Sequence, residues 1–306
     1  MNKLITLLLV LITAQYGLCQ DYQSDFLKHF NTGNTKKQLK ILKKWELESP
    51  NDAALFTSYF NYHVKQAQKV EFIKETYDPE TYFDYILRFN DNSDPETVLD
   101  NVKFDLDELK KGFNKIDEGI KLFPNRLDMR FGKIFVLGQV ADWNTFTKEI
   151  IKAIEHSAQN DNKWTWANGT DSSINQESFL LAIKNYQVGL YDVGNDALID
   201  NIIEISNAVD THYPEHVNNL ITLSTCYLLK KDYSKGIGAL LKAESINQND
   251  YVILGKIAEA YKLKGDYKQA IEYYKKTYNL GNERAIAYAR EQVKLLSDKT
   301  FNIEVD

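Results

Sequence analysis

Apolar residues in the C-terminal third of the chain recur with a period of 34 residues. Residues 217–250 and 251–284 align without a gap and carry the same kinds of side chain at matching offsets. The matched pairs are Leu220/Leu254, Leu223/Ile257, Ser224/Ala258, Tyr227/Tyr261, Asp232/Asp266, Tyr233/Tyr267, Gly236/Ala270 and Leu240/Tyr274. A repeat of this length is typical of stacked pairs of antiparallel helices.

The spacing inside each block predicts two helices that cross closely. Apolar residues three or four positions apart lie on one face of a helix, which predicts a first helix from Leu220 and a second from Gly236. Small residues such as Ser224 allow the two helices to approach each other. Gly265 is expected to end a helix in the left-handed conformation, and Asp266 to cap the next. Each block is therefore predicted to form one helical hairpin.

These features resemble the tetratricopeptide repeat (TPR), in particular that of exported TPR proteins. The resemblance implies an all-α fold, an α-solenoid of antiparallel helix hairpins, in which the first helix of each hairpin lines a concave groove that recognises a partner. The corresponding groove positions in the clear repeats are Asn218, Ile221, Thr225, Leu228, Leu229, Val252, Gly255, Glu259, Lys262 and Leu263; in a repeat starting at residue 127 they are Asp128, Phe131, Phe135, Gly138 and Gln139. Alternatively, neighbouring hairpins bury several of these residues. The paired Lys and Asn clamp of some carboxylate-binding members is not found at these positions.

Three prolines predict further hairpin boundaries. Pro50, Pro124 and Pro214 each follow an apolar helical pattern and precede the next one by three residues. The patterns predict earlier repeats within 34–66 and 106–156. Lys133 departs from the second of these patterns, because it occupies a position that is apolar in the other repeats.

The intervals between the predicted repeats require two insertions. The first is placed at 68–104, where alternating residues on both sides of Asp78-Pro79-Glu80 predict a small β-hairpin near 68–90. The second is a polar loop at 157–175 that contains Trp164 and Trp166. The predicted organisation is a signal peptide (1–19), TPR-like helices (20–67), the insertion (68–104), irregular TPR-like helices (105–213), two repeats with a capping helix (214–296) and a frayed tail (297–306).

The N-terminal residues have the pattern of a secretory signal. Lys3 precedes an apolar run at 4–12, which small and polar residues follow up to a cleavage site after Cys19. The run is shorter than the roughly 20 residues that span a bilayer, so we expect no membrane span after cleavage. We expect an exported protein, either periplasmic, attached to the cell envelope or secreted. Lipidation of Cys19 is less favoured, because Leu18 stands where that pattern has Gly or Ala.

Composition restricts the function further. After cleavage Cys226 is the sole cysteine, so stability must come from helix packing rather than from an internal disulfide. The net charge of −6 and the interspersed charges argue against a nucleic-acid partner. The chain has no phosphate-binding glycine loop and no nucleophile elbow, and Pro214 separates His212 from His216. We therefore expect no enzyme activity, no cofactor and no metal.

Two functional hypotheses follow from these observations. The first is an exported, non-catalytic TPR scaffold or adaptor that binds a peptide or protein through its concave face. The alternative is a cell-envelope module for glycans or other nutrient ligands, with Trp164 and Trp166 as a stacking platform. A hydrolase within 68–104 is the least favoured hypothesis, because so short a segment does not supply a nucleophile, a base and an oxyanion site.

Overall fold

The computed structural model describes residues 22–71, 101–167 and 174–303, and these are mainly α-helical. The helices are α1 (22–31), α2 (Thr35–Glu48), α3 (Ala53–Ala67), α4 (Leu106–Leu122), α5 (Leu127–Gln139), α6 (Trp143–Gln159), α7 (Gln176–Asp192), α8 (Ile199–His212), α9 (Val217–Leu229), α10 (Tyr233–Ile246), α11 (Tyr251–Lys264), α12 (Tyr267–Leu280) and α13 (Glu283–Ile303). Strands β1 (Gln68–Glu71) and β2 (Asn101–Phe104) form a two-stranded antiparallel sheet. The predicted all-α fold of helix hairpins is confirmed.

The chain divides into two compact units. The first comprises Met1–Glu149 with Gln159–Ser178, and the second comprises Ile150–Ala158 with Phe179–Asp306. The predicted signal peptide lies outside the described residues. None of the helices in the described ranges is long and apolar enough to cross a membrane.

In the first unit, the insertion lies between the two helices of one hairpin. Helices α3 and α4 pack against each other along their length, although the chain between them includes the sheet. In the sheet, Gln68 pairs with Phe104 and Glu71 pairs with Asn101. The alternating pattern did not predict β2, and the predicted turn at 78–80 lies outside the described residues.

The α3–α4 hairpin is held by close approach at a small residue. Gly119 on α4 is so close to α3 that an added Cβ atom would lie 2.8 Å from the Phe56 Cβ atom and 3.1 Å from the Met129 sulfur. Around this contact, apolar side chains from α3, α4 and α5 form one buried cluster, which includes Phe60, Leu109 and Ile116.

Lys133, the residue that departs from the apolar pattern, is buried and paired. Its Nζ atom lies 2.6 Å from Asp117 Oδ1 and 3.2 Å from Glu149 Oε1. Two carboxylates compensate for burial of the ammonium group, which would otherwise carry a large desolvation cost. The neighbouring residues Ile134 and Leu137 are buried as the repeat pattern predicts.

In the second unit, α9–α10 and α11–α12 form the two clear repeats. The matched residues of the repeat pattern are mostly buried, including Leu220, Ile257 and Tyr274. The side chain of Asp266 accepts a hydrogen bond from the Gln269 amide at 3.1 Å, and Gly265 adopts a φ of 86°. The predicted helix end and cap between α11 and α12 are therefore confirmed.

The capping helix is longer than the sequence pattern indicated. Helix α13 packs against α12 and continues to Ile303, so the prediction of a frayed tail from residue 297 is wrong for 297–303. Leu296 is buried against α12 and α11, while Ser297 and Asp298 are exposed. The polar residues that suggested a tail are equally suited to the outer face of a helix.

Replacement of Gly119 by Ala tests the close approach of α3 and α4. A methyl group would overlap the Phe56 Cβ atom, so we expect the variant to lose about 1–3 kcal/mol of unfolding free energy in urea denaturation followed by circular dichroism. Gly132→Ala is the control in the same unit, because its nearest atom would be 3.7 Å away. This control should gain about 0.5 kcal/mol through a less flexible unfolded chain. Equal stability of the two variants would contradict the packing described.

Candidate functional site

An open groove of about 260 Å³ lies between α7 and α9 in the second unit. Four residues at groove positions predicted from the first clear repeat line it: Asn218, Ile221, Thr225 and Leu229 on α9. Helix α7 forms most of the opposite wall. Ile202 on α8 and Cys226 on α9, which are both buried, form the base. The remaining lining residues are Lys184, Gln187, Val188, Tyr191, Ile202, Thr222 and Cys226.

Helical periodicity separates the groove face of α9 from its buried face. Leu220 and Leu223 are buried, whereas Asn218 and Thr225 are exposed. Large apolar side chains remain partly exposed at the groove, with Tyr191 56% and Leu229 47% accessible. An extended surface of this kind, apolar and in contact with water, is characteristic of a binding site.

A buried serine on α8 fixes α7 and α9 on the two sides of the groove. Gln187 on α7 donates its Nε2 hydrogen to the Ser206 hydroxyl at 2.7 Å. Asn219 on α9 donates its Nδ2 hydrogen to the Ser206 carbonyl at 2.9 Å. All three side chains are buried, so these hydrogen bonds would be costly to lose. They set the separation of the two groove walls.

Two hydroxyl groups and the thiol of the groove are accounted for within the protein. The hydroxyl groups of Thr222 and Thr225 donate to the carbonyls of Asn218 and Ile221, at 3.1 and 2.9 Å. Burial raises the pKa of the Cys226 thiol to about 11, which keeps it neutral near pH 7. Cys226 is therefore a packing residue at the base of the groove rather than a nucleophile.

Glu259 and Lys262, predicted partner-binding residues on α11, are engaged within the protein. The Glu259 carboxylate accepts hydrogen bonds from Tyr274 at 2.5 Å, from Lys262 at 3.2 Å and from Tyr288 at 3.3 Å. These contacts connect α11 to α12 and α13. Glu259 joins α11 to α12 and α13, whereas Lys262 pairs with Glu259 on its own helix. Contact of these two residues with a partner stays a prediction.

The predicted residues of the repeat at 127 lie in the first unit. Asp128 is bonded twice to Arg126, with both N–O distances 2.7 Å, and its side chain is largely buried. Phe135 packs against the cluster of α3, α4 and α5, and Phe131 and Gln139 are half-buried. The carboxylate of Asp128 is thus paired with the guanidinium group of Arg126, and its contact with a partner stays a prediction.

The tryptophan pair does not form a stacking platform. Trp164 is 2% exposed, and the guanidinium group of Arg130 lies 5.9 Å from its ring centroid. Trp166 is 41% exposed. Sugar stacking requires an open ring face, so the prediction of a platform made by Trp164 with Trp166 is wrong.

The α7 wall of the groove was missed from the sequence. Lys184, Val188 and Tyr191 have helical spacing and lie on one face of α7, but no 34-residue alignment includes them. The available signal was this spacing alone, which does not say which helix lies opposite. Within the described ranges, no group of three His, Cys, Asp or Glu residues could hold a metal ion.

Comparison with known proteins found similar solved structures. No protein-family model matches the sequence, and no curated protein matches it. The solved structures include MamA (14% identity, covering 55% of this chain and 84% of MamA, TM-score 0.35) and YrrB, described as a TPR protein with an unusual peptide-binding site (10% identity, 82% and 97%, TM-score 0.37). A third is the C-terminal part of a TPR repeat-containing protein from Cytophaga hutchinsonii (12% identity, 84% and 78%, TM-score 0.35). These scores are low, so the assignment of TPR-like hairpins depends on the spacing, burial and caps of this chain's own residues.

Replacement of Glu259 by Gln tests the contacts that hold the capping helix. The pKa of this carboxyl group lies below its usual value. Burial alone would raise the pKa, but hydrogen bonds from Tyr274 and Lys262 stabilise the charged form and outweigh burial. The charged form therefore stabilises the fold above pH 4.5, and this contribution is lost as pH falls through the folded-state pKa. We expect Glu259→Gln to cost about 1 kcal/mol at pH 7 in urea denaturation, and less below pH 4.5.

The control for this prediction is Glu272→Gln on α12. Glu272 is exposed and pairs with Lys275 at 3.6 Å, so its loss should change stability by less than about 0.5 kcal/mol at any pH. A difference between Glu259→Gln and the wild type that does not depend on pH would contradict the assigned role.

Proposed function

We propose that the protein is a non-catalytic scaffold that binds an extended segment of a partner protein in the α7–α9 groove. The observation that carries this proposal is the groove itself, which has an apolar wall on each side and partly exposed Tyr191 and Leu229. Stacked helix hairpins provide extended surfaces of this kind, and in many proteins these surfaces bind other chains.

The energetics of the groove suit a partner segment. Burying one large apolar side chain contributes about 1.5–3 kcal/mol. Part of this gain is offset by the loss of translational and conformational freedom on binding. One buried side chain is therefore not enough for stable binding, and flanking contacts along the groove must contribute the rest of the binding free energy.

The same geometry favours binding over chemistry. The thiol of Cys226 is neutral and buried, and Thr222 and Thr225 donate their hydroxyl hydrogens to their own helix. Of the described lining residues, Lys184 is the single charged one. A nucleophile with an adjacent base, which acyl or phosphoryl transfer needs, is not formed by these side chains.

A double substitution tests the groove as the binding site. A random peptide library is selected on the immobilised protein, and the affinity of the selected peptides is measured by fluorescence anisotropy. Tyr191→Ala with Leu229→Ala removes exposed side chains from both walls, so we expect binding about 10-fold or more weaker. Circular dichroism should be unchanged, because neither side chain is buried.

The matched control is Leu181→Ala with Leu295→Ala. These two side chains are similarly exposed and lie outside the groove lining, on α7 and α13. The control should bind the peptides as the wild type does. A library that yields no binder, or equal losses in the two double variants, would contradict the proposed function.

We also propose that the scaffold acts outside the cytoplasm. The proposal is supported by the sequence of the first 20 residues, with an apolar run between Lys3 and the small residues before Gln20. N-terminal sequencing of the exported protein should give Gln20 as the first residue. Cys19→Ser should leave export unchanged, because the proposal assigns no lipid to Cys19. A retained Met1 or a lipid-blocked N-terminus at Cys19 would contradict it.

A further inference from the structure

We infer that the α7–α9 groove selects a partner segment in which a large apolar side chain lies beside a carboxylate. The inference rests on the proposed function and specifies the chemistry of the partner. It follows from the charges, the apolar walls and the unused hydrogen-bonding groups of the same groove.

The charge of the groove differs from that of the whole chain. The chain has 43 acidic and 37 basic residues. The groove lining contains Lys184 and no carboxylate. Lys184 is exposed, and no carboxylate of the described residues lies within ion-pair distance of it. An unneutralised ammonium group beside an apolar wall favours an anion on the partner and disfavours a cation.

The apolar part of the groove determines the second feature of the partner. Val188 and Tyr191 form one wall, and Ile221 and Leu229 form the other. A volume of about 260 Å³ between them accommodates a large apolar side chain. The partner carboxylate must be close to this side chain in sequence, since Lys184 is itself one of the lining residues.

Hydrogen-bonding groups at the groove favour a peptide over a free fatty acid. The Asn218 side chain is exposed at the groove and can both donate to and accept from a peptide group. The oxygens of Thr222 and Thr225 retain acceptor capacity after they donate to their own helix. An alkyl chain offers no hydrogen bond to these groups, whereas an extended backbone can form one with them.

Charge reversal at Lys184 provides the test. The random peptide library is selected in parallel on the wild type, on Lys184→Glu and on Lys268→Glu. Lys268 is exposed on α12 and lies outside the groove lining, so the control changes the net charge by the same amount. The affinities of the selected peptides are then measured at low and high salt. The peptides are acetylated and amidated, so that their terminal charges do not contribute to binding.

We expect wild type and Lys268→Glu to select peptides enriched in Asp or Glu next to a large apolar residue. Lys184→Glu should bind these peptides about 10-fold more weakly at low salt and should select Lys or Arg instead. The difference between the variants should shrink at high salt. An Asp→Asn change in a selected peptide should reproduce the loss on wild type and have little effect on Lys184→Glu.

The outcomes separate this inference from the proposed function. Peptides that need Tyr191 and Leu229 but show no acidic preference would overturn the inference and leave the scaffold function intact. Absence of any groove-dependent peptide would overturn both. Dodecanoate is the probe for a lipid ligand: if it binds the groove and no peptide does, the partner is not a protein and both proposals fail.

Discussion

Helices of 13 to 17 residues, such as α9 and α4, cannot cover their own apolar faces, and the structure depends on this constraint. Each helix buries one face against its neighbours, and the contact requires a small residue where two helices cross. Gly119 against Phe56 shows how little space is left at such a crossing. Because each helix buries one face, another face of α7 and of α9 stays in contact with solvent, and these two faces line the groove.

The groove is a direct consequence of this packing. Ser206 holds Gln187 and Asn219 by buried hydrogen bonds, so α7 and α9 are fixed to the same helix, α8. Between them remain partly exposed apolar side chains, such as Tyr191 and Leu229, and a single ammonium group. Packing that stabilises the fold thus also determines the width and chemistry of the surface that we propose as the binding site.

The fold could be predicted from the sequence where residues repeat. The 34-residue period gave α9 to α12 with the correct cap at Asp266, because local spacing determines which face of a helix is apolar. Pairing of α3 with α4 could not be predicted, since the two helices lie on either side of an insertion. The predicted end of α13 was also wrong, because polar residues such as Ser297 suit either a tail or an exposed helix face.

Part of the groove lining was predicted from the sequence. Asn218 and Thr225 lie in the groove, because their offsets in the repeat place them on the face that neighbours do not cover. Glu259 and Asp128 have equivalent offsets but are bound to other side chains, which no single-helix pattern reveals. Trp164 is buried because its loop folds back onto the protein, where Thr165 forms a parallel β-bridge with Arg126. Contacts between distant segments decide these cases.

The most direct test of the account is a crystal structure of the protein with a selected peptide. The account predicts an extended peptide between α7 and α9, with an apolar side chain between Tyr191 and Leu229 and a carboxylate at Lys184. A peptide bound instead on α10 and α12, with the α7–α9 groove empty, would contradict it.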